Sequence, residues 1–333
     1  MYLVGIDIGG TKCAVVLGKP RNIIDPTKDE IDIIDKIKFL TMSDVNKVIE
    51  KLILSVEEIL NRNNINKKDI PMMGINCGGP LNSKEGIIIA PPNLLGWVNI
   101  PIVKIFEEKF NIKCKLQNDA KAGALAEWFY GAGKGYSNLM FITFGTGFGS
   151  GLILDNKLYL GTNDMAGEVG HLRIAEHGPV GFGKEGSLEG YCSGGGIAQL
   201  AKIKVLEKLQ LGENVSFCKS IDELEGLNAK IVGDAAEAGD ELAIEIYKIS
   251  GTYLGKGLSL FIDILNPQVI IIGSIFARSH NLLWPHAKKI IEKETISYAR
   301  KVCKVVKAGL GERIGDLEAL SIAAYELMEG KRK

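Results

Sequence analysis

Apolar residues in this chain gather in short runs, and two of the places where they do so are alike. Residues 3–18 read LVGIDIGGTKCAVVLG and residues 139–154 read LMFITFGTGFGSGLIL. Each predicts two buried-type strands joined across a tip of Gly and Thr. Glycine at such a tip permits positive φ and lets backbone N–H groups approach a ligand with no Cβ in the way. Residues 20–43 predict further strand and loop. Residues 44–63 then switch to a helical period, with Val45, Val48, Ile49, Leu52, Ile53, Val56 and Ile59 on one face. Ser43 is the expected N-cap, with Asp44 in the first turn.

Beyond that helix the pattern predicts strands at 71–78, 87–89 and 113–116, and helices at 102–110 and 120–130. Strands alternating with helices indicate an α/β domain. Residues 161–195 break the rhythm, being rich in Gly and poor in β-branched residues, and predict a long functional loop. Helices follow at 196–209, 231–264, 280–294 and 316–328, with strands at 269–273 and 302–306. The expected division is a small α/β domain over residues 1–117, rejoined by the closing helix at about 316–333, and a large α/β domain over 118–315. A chain of 333 residues suits two such domains.

Composition changes this picture only by exclusion. Lys plus Arg is 40 and Asp plus Glu is 40, so no basic field argues for nucleic acid or a membrane surface. The apolar runs are too short to span a bilayer. Met1 and Tyr2 lead straight into a strand, without the basic and apolar regions of a signal peptide. Six cysteines, at 13, 77, 114, 192, 218 and 303, are scattered with no C-x-x-C pair, which suits reduced thiols. A cytoplasmic protein is expected.

The chemistry resides in a few polar positions. Neither glycine tip is G-x-x-x-x-G-K-[ST], and Gly145-Thr146-Gly147-Phe148-Gly149-Ser150 lacks the last glycine of G-x-G-x-x-G. Two Thr-bearing tips nonetheless suit a pair of loops closing on a polyphosphate. Asp7, at the end of a strand and just before Gly9-Gly10-Thr11-Lys12, reads either as a cap of the turn or as a ligand of nucleotide-bound Mg²⁺, direct or through water. Asn118-Asp119 stands at a strand-to-helix edge, where α/β ligands bind, and Asp119 reads equally as a helix cap or a base. Glu168, His171 and Glu189 in the glycine-rich loop offer convergent acceptors and donors for sugar hydroxyls, although a lone His171 is as easily a surface residue.

Taken in order, the motifs resemble those of the ROK sugar kinases and repressors over essentially the whole chain. The match includes Asp7-Ile8-Gly9-Gly10-Thr11-Lys12, Gly78-Gly79-Pro80, Asn118-Asp119, Gly145 to Gly151, Ala166 to His171, Gly186-Ser187-Leu188-Glu189 with Ser193-Gly194, and Asn266-Pro267. The resemblance implies a two-domain actin-like ATPase (ribonuclease H-like) fold with a cleft between domains, and ATP-dependent phosphorylation of a hexose, by default at the 6-hydroxyl. It implies Asp119 as general base, and Gly79, Asn93, Asn118, Asp119, Glu168, His171 and Glu189 as sugar contacts. Gly9, Gly10, Thr11, Lys12, Gly145, Thr146 and Gly147 would cradle the phosphates, Gly273 and Ser274 would hold the adenosine, and Asp7 would serve the Mg²⁺. ATP, Mg²⁺ and a hexose are the expected partners, in a homo-oligomer, dimer or tetramer. Glucose, N-acetylglucosamine, N-acetylmannosamine, allose and fructose all fit.

Regulators of the family carry a winged helix-turn-helix ahead of the phosphate loop, and only Met1 to Val4 stand there, so a kinase is expected over a sugar-sensing regulator. Retention of Asp7, Asp119 and both loops argues likewise against a non-catalytic sugar-binding protein. The chain also departs from the family. Most members hold a structural zinc with three cysteines and the loop histidine, whereas Val180 to Ser187 contains no cysteine. No structural zinc is expected, a site rebuilt from His171, His177 and Cys192 being the alternative, and Phe182 is expected to pack inward in the metal's place.

Overall fold

The computed structural model describes residues 1–21 and 30–332. Part of the predicted strand-and-loop segment, residues 22–29, and the last residue of the closing helix lie outside the described residues. The chain begins with β1 (Leu3–Ile8), β2 (Lys12–Pro20), β3 (Ile31–Leu40), α1 (Val45–Arg62) and β4 (Met73–Cys77). A small hairpin, β5 (Leu81–Asn82) and β6 (Ile87–Ile88), precedes α2 (Ile102–Phe110), β7 (Cys114–Asn118) and α3 (Asp119–Tyr130). Then come β8 (Leu139–Phe144), β9 (Phe148–Leu154), β10 (Lys157–Tyr159) and the short hairpin β11 (Val180–Gly181) and β12 (Lys184–Glu185). The rest is mostly helical: α4 (Leu188–Tyr191), α5 (Gly194–Gln210), α6 (Ala229–Glu237), α7 (Glu241–Leu265), β13 (Val269–Ile272), α8 (Ile275–Arg278), α9 (His280–Glu294), α10 (Ser297–Val302), β14 (Lys304–Lys307) and α11 (Ile314–Arg332).

The first sheet has the order β3-β2-β1-β4-β7, with β1–β2 and β2–β3 antiparallel and β1–β4 and β4–β7 parallel. The second has the order β10-β9-β8-β13-β14, with β13 parallel to both β8 and β14. Both are therefore built from an antiparallel meander continued by parallel strands, and the similar hairpins of the sequence occupy equivalent places. Parallel strands buried on both faces explain the unbroken apolar runs, such as Val269–Ile272, fully buried.

By compactness the chain forms two units. One comprises Met1–Ser137, Gly151–Ala166 and Gly309–Lys333, and the other Asn138–Ser150 and Gly167–Ala308. In the first, α11 packs on β1 and β4. A Cβ on Gly74 would lie 1.9 Å from the backbone oxygen of Ala319, so only glycine lets helix and strand approach so closely. On the other side, Val48, Leu52, Val56 and Ile59 of α1 join Ile6, Val15 and Ile75 in a buried core. In the second unit α7 packs lengthwise on α9.

Local expectations differ from the structure in four ways. The N-cap of α1 is Asp44, accepting from the N–H groups of Asn46 and Lys47, so Ser43 lies outside the helix. The helix expected over 231–264 is two, α6 and α7, the second capped anew by Asp240. The loop at 161–195 contains the β11–β12 hairpin and α4, and α10 was not anticipated. The tip glycines Gly9, Gly10, Gly145 and Gly147 do not adopt positive φ. At Gly9, Gly10 and Gly147 a Cβ would instead come within 3.0 Å of a neighbouring atom.

Candidate active site

In the first unit the strand ends bring several of the selected residues together. Asp7 is the next-to-last residue of β1, and its neighbour in register on β4 is Asn76, whose neighbour on β7 is Gln117. The tip after β1 is closed by a bond from the Gly9 N–H to the Lys12 oxygen, and Thr41 anchors it by donating its hydroxyl to the Gly9 oxygen at 2.6 Å. Gly10 lies against the backbone of Asn93, where a Cβ would come within 2.3 Å of the Asn93 oxygen. Thr11, Lys12 and Asn93 are exposed at this surface. Gly79 sits beside Asn118, its Cβ position 4.0 Å from the Asn118 Nδ2.

The capping alternative for each carboxylate can be read from the hydrogen bonds. Asn118 is the cap of α3, accepting from the Lys121 N–H at 2.9 Å. Asp119 is left as the first helical residue, with one oxygen on the Ala120 N–H at 2.8 Å. Its side chain is solvent-accessible, yet protein crowds around it and displaces bulk water. Accessibility decides that a ligand can reach it. Desolvation, only partly offset by the Ala120 N–H and the Lys121 charge, raises its carboxyl above the ordinary value. Asp7 does not cap the turn either. Its Oδ1 accepts from the Asn76 amide at 3.0 Å, and burial together with the charge of Asp119 pushes its pKa from 3.8 up to about 6.

Two residues here were not singled out from sequence. The Asn76 amide donates also to Glu318 of α11, at 3.0 Å, and its own oxygen is the one buried side-chain oxygen or nitrogen without a partner among the described residues. Glu318 is desolvated and lies in the negative field of Asp119 and Asp7, so its carboxyl is held well above the ordinary value. The signals were a polar residue inside the apolar strand MGINC and an acid within the apolar run of the closing helix. Carboxylates with an amide oxygen form an all-oxygen donor set, the kind Mg²⁺ takes. Among the described residues no group of three or more His, Cys, Asp and Glu side chains is arranged to hold a metal.

The second unit assembles the remaining positions. The tip Gly145–Gly147 is closed by the Gly145 N–H on the Gly147 oxygen, and the start of α5 docks on it through the Gly194 N–H, 2.8 Å from the Gly145 oxygen. Ser274, at φ 59°, stands next to it, with its hydroxyl 3.5 Å from a Cβ placed on Gly145. Gly273 is buried behind it at the end of β13. Glu189, at the start of α4, accepts from the Phe148 N–H at 2.9 Å, so the second glycine tip and the loop 161–195 are joined through one carboxylate. Glu168 and His171 are exposed and flank a single helical turn.

Phe182 corrects an expectation. It is 76% exposed, at φ 42°, and meets the His171 ring edge-on with centroids 6.3 Å apart. Hydrogen bonds hold the segment in place of inward packing. Lys184 donates to the His171 oxygen, Arg173 to the Glu185 oxygen, and Gln199 pairs twice with the Val180 backbone. Nor do His171, His177 and Cys192 converge. The Cys192 thiol is buried against the Ser250 oxygen, whereas His177 is exposed beside Glu185.

Known proteins place the chain in a family. A ROK family profile matches residues 3–326. A glucokinase of Halalkalibacterium halodurans is 30% identical over 294 residues, covering 87% of this chain and 85% of that protein. A xylose repressor of Caldicellulosiruptor bescii is 29% identical over 327 residues, covering 98% of this chain and 79% of that protein. The structure of a ROK family glucokinase from Streptomyces griseus, in complex with glucose and AMPPNP, matches with a TM-score of 0.73 at 26% identity, covering 97% of this chain and 99% of that one. Such neighbours have the actin-like ATPase fold, which the two sheets here share. With its motifs in order, its paired sheets and a match across nearly its full length, the chain belongs to the ROK family.

Proposed function

We propose that this protein transfers the γ-phosphoryl group of ATP to a hydroxyl of a hexose, glucose or a close relative, by default the 6-hydroxyl. The observation that carries the reading is Asp119, an accessible carboxylate at a strand-to-helix edge, relieved of capping by Asn118 and raised in pKa by the protein around it. Such a group suits a general base, since basicity toward a sugar hydroxyl grows with pKa. Asn118, Gly79, Asn93, Glu168, His171 and Glu189 would hold the sugar. Gly9 to Lys12 and Gly145 to Gly147 would present backbone N–H groups to the phosphates, and Gly273 with Ser274 would bound the adenosine. Mg²⁺ would neutralise phosphate charge during transfer, with Asp7 on its side of the site. The division at residues 117–118 and a homo-oligomeric state belong to the same proposal.

The test is hexose-dependent ADP formation with Mg²⁺ over a panel of the five sugars, the phosphorylated position being read by NMR. Turnover with at least one sugar is expected. The similarity to a xylose repressor favours a second reading, a sugar-sensing regulator. Saturable sugar binding by calorimetry with no ADP formed would replace the first reading by the second.

A further inference from the structure

We propose that Glu318, together with Asp7 and the amide oxygen of Asn76, forms a divalent-cation site that loads before any nucleotide arrives. The three residues come from three elements of the first unit, β1, β4 and α11. The Asn76 amide lies between the two carboxylates, giving one hydrogen to Asp7 Oδ1 and one to Glu318 Oε2, each at 3.0 Å. Its oxygen, one amide width away, is buried and unpartnered, in a residue only 2% exposed. A buried acceptor with no donor is costly to leave unsatisfied.

Two carboxylates and an orphan amide oxygen are what a hard cation seeks. Mg²⁺ binds through one or two carboxylates and otherwise keeps water or phosphate oxygens. The amide hydrogens are the positive partner shared by both acids. Asp7 and Glu318 would hold the cation, and with the amide turned over the Asn76 oxygen would be available as a third ligand. The electrostatics agree with the geometry. Asp7 and Glu318 are both desolvated and both lie in the negative field of Asp119, Glu318 also in that of Asp7, and the cations acting on Asp7, Lys38 and Lys36, only partly compensate. Lys36 is itself engaged by Asp316. A divalent ion removes the repulsion among the carboxylates.

The inference deepens the phosphoryl-transfer reading by naming a residue that holds the ion in advance. Its test uses neither ATP nor sugar, so a failed kinase assay and a failed metal titration are separate results. Full-length protein stripped with EDTA is titrated with Mn²⁺, and free Mn²⁺ is followed by electron paramagnetic resonance. One saturable site per chain is expected, together with a metal-dependent rise in Tm. Glu318→Gln should weaken Mn²⁺ by about tenfold or more, as loss of a ligand or its support does, and reduce the rise in Tm at a given Mn²⁺ concentration. Glu225→Gln, at an exposed acid in the other unit, should bind as the wild type does. Glu318→Ala repeats the test by truncation should the glutamine variant fold poorly. No saturable Mn²⁺ binding without nucleotide overturns the proposal, as does wild-type affinity in a folded Glu318 variant.

Discussion

At the first hairpin a Cβ on Gly10 would meet the backbone oxygen of Asn93 at 2.3 Å, whereas at the second a Cβ on Gly147 would meet the carboxylate tip of Glu189 at 2.9 Å. A backbone oxygen held by its own chain moves only at the cost of the loop, but the end of a glutamate side chain swings aside readily. Similar motifs thus carry different constraints. The first tip is packed by main chain, and just before it Asp7 lies in the field of Asp119 and shares the Asn76 amide with Glu318. The second is tied to the loop 161–195 by backbone bonds from the Gly194 and Gly195 N–H groups and by one replaceable side-chain bond, from Phe148 N–H to Glu189. A rigid, charged half and an adjustable half are what this contrast predicts.

The largest test lies in the charged half. Asp119→Asn is expected to lower kcat by about 10²–10⁴, the usual worth of a general base, with sugar affinity little changed. Steady-state kinetics with calorimetric sugar binding checks this. A kcat near wild type would remove Asp119 from the role.

Charge at the first tip should also be paid in stability. Burial of the Asp7 carboxyl, raising it from 3.8 to about 6, corresponds to about 3 kcal/mol of destabilisation when it is ionised. The sign follows from proton binding: the folded protein holds this proton more tightly than the unfolded chain, so stability falls as pH rises from about 4 through about 6. Asp7→Asn, neutral throughout, should be more stable than wild type above about pH 6 in EDTA, by up to about 3 kcal/mol. That advantage should vanish below pH 3.8, the ordinary value. Urea denaturation against pH measures it, and a gap independent of pH would show that the tip is not strained by charge.

Gly10→Ala should cost about 1–3 kcal/mol, as overpacking against immovable atoms does, and raise the KM for MgATP more than that for sugar. The smallest effect is expected at the second tip. Gly147→Ala requires only that Glu189 withdraw, forfeiting a hydrogen bond worth about 1 kcal/mol, and the sugar KM should rise at least as much as that for ATP. Equal losses of stability in the two alanine variants, by thermal denaturation, would break the comparison between the hairpins.

Much of this was readable locally. Both hairpins, the amphipathic face of α1 and the strand-to-helix junction at Asn118-Asp119 are signalled by residues adjacent in the chain, because turns and helices are short-range. The choice of cap at that junction was not readable, since Asn118 and Asp119 are both good caps and the geometry of the strand end selects between them. Phe182 was misjudged for a related reason. Hydrophobicity predicted burial, but hydrogen bonds from Lys184, Arg173 and Gln199 shape the segment and leave the ring outside.

The sequence by itself determined the α/β class, the family and the order of the candidate site residues, since these rest on periodicity and on motifs contiguous in the chain. Only the tertiary structure decided which glycine is crowded by backbone and which by a side chain, and that Asn76 and Glu318 join Asp7. Asn76 is 69 residues from Asp7 and 242 from Glu318. No local pattern records a contact across such separations. It arises when β4 pairs beside β1 and α11 packs down onto both strands, burying three polar groups together that must then satisfy one another.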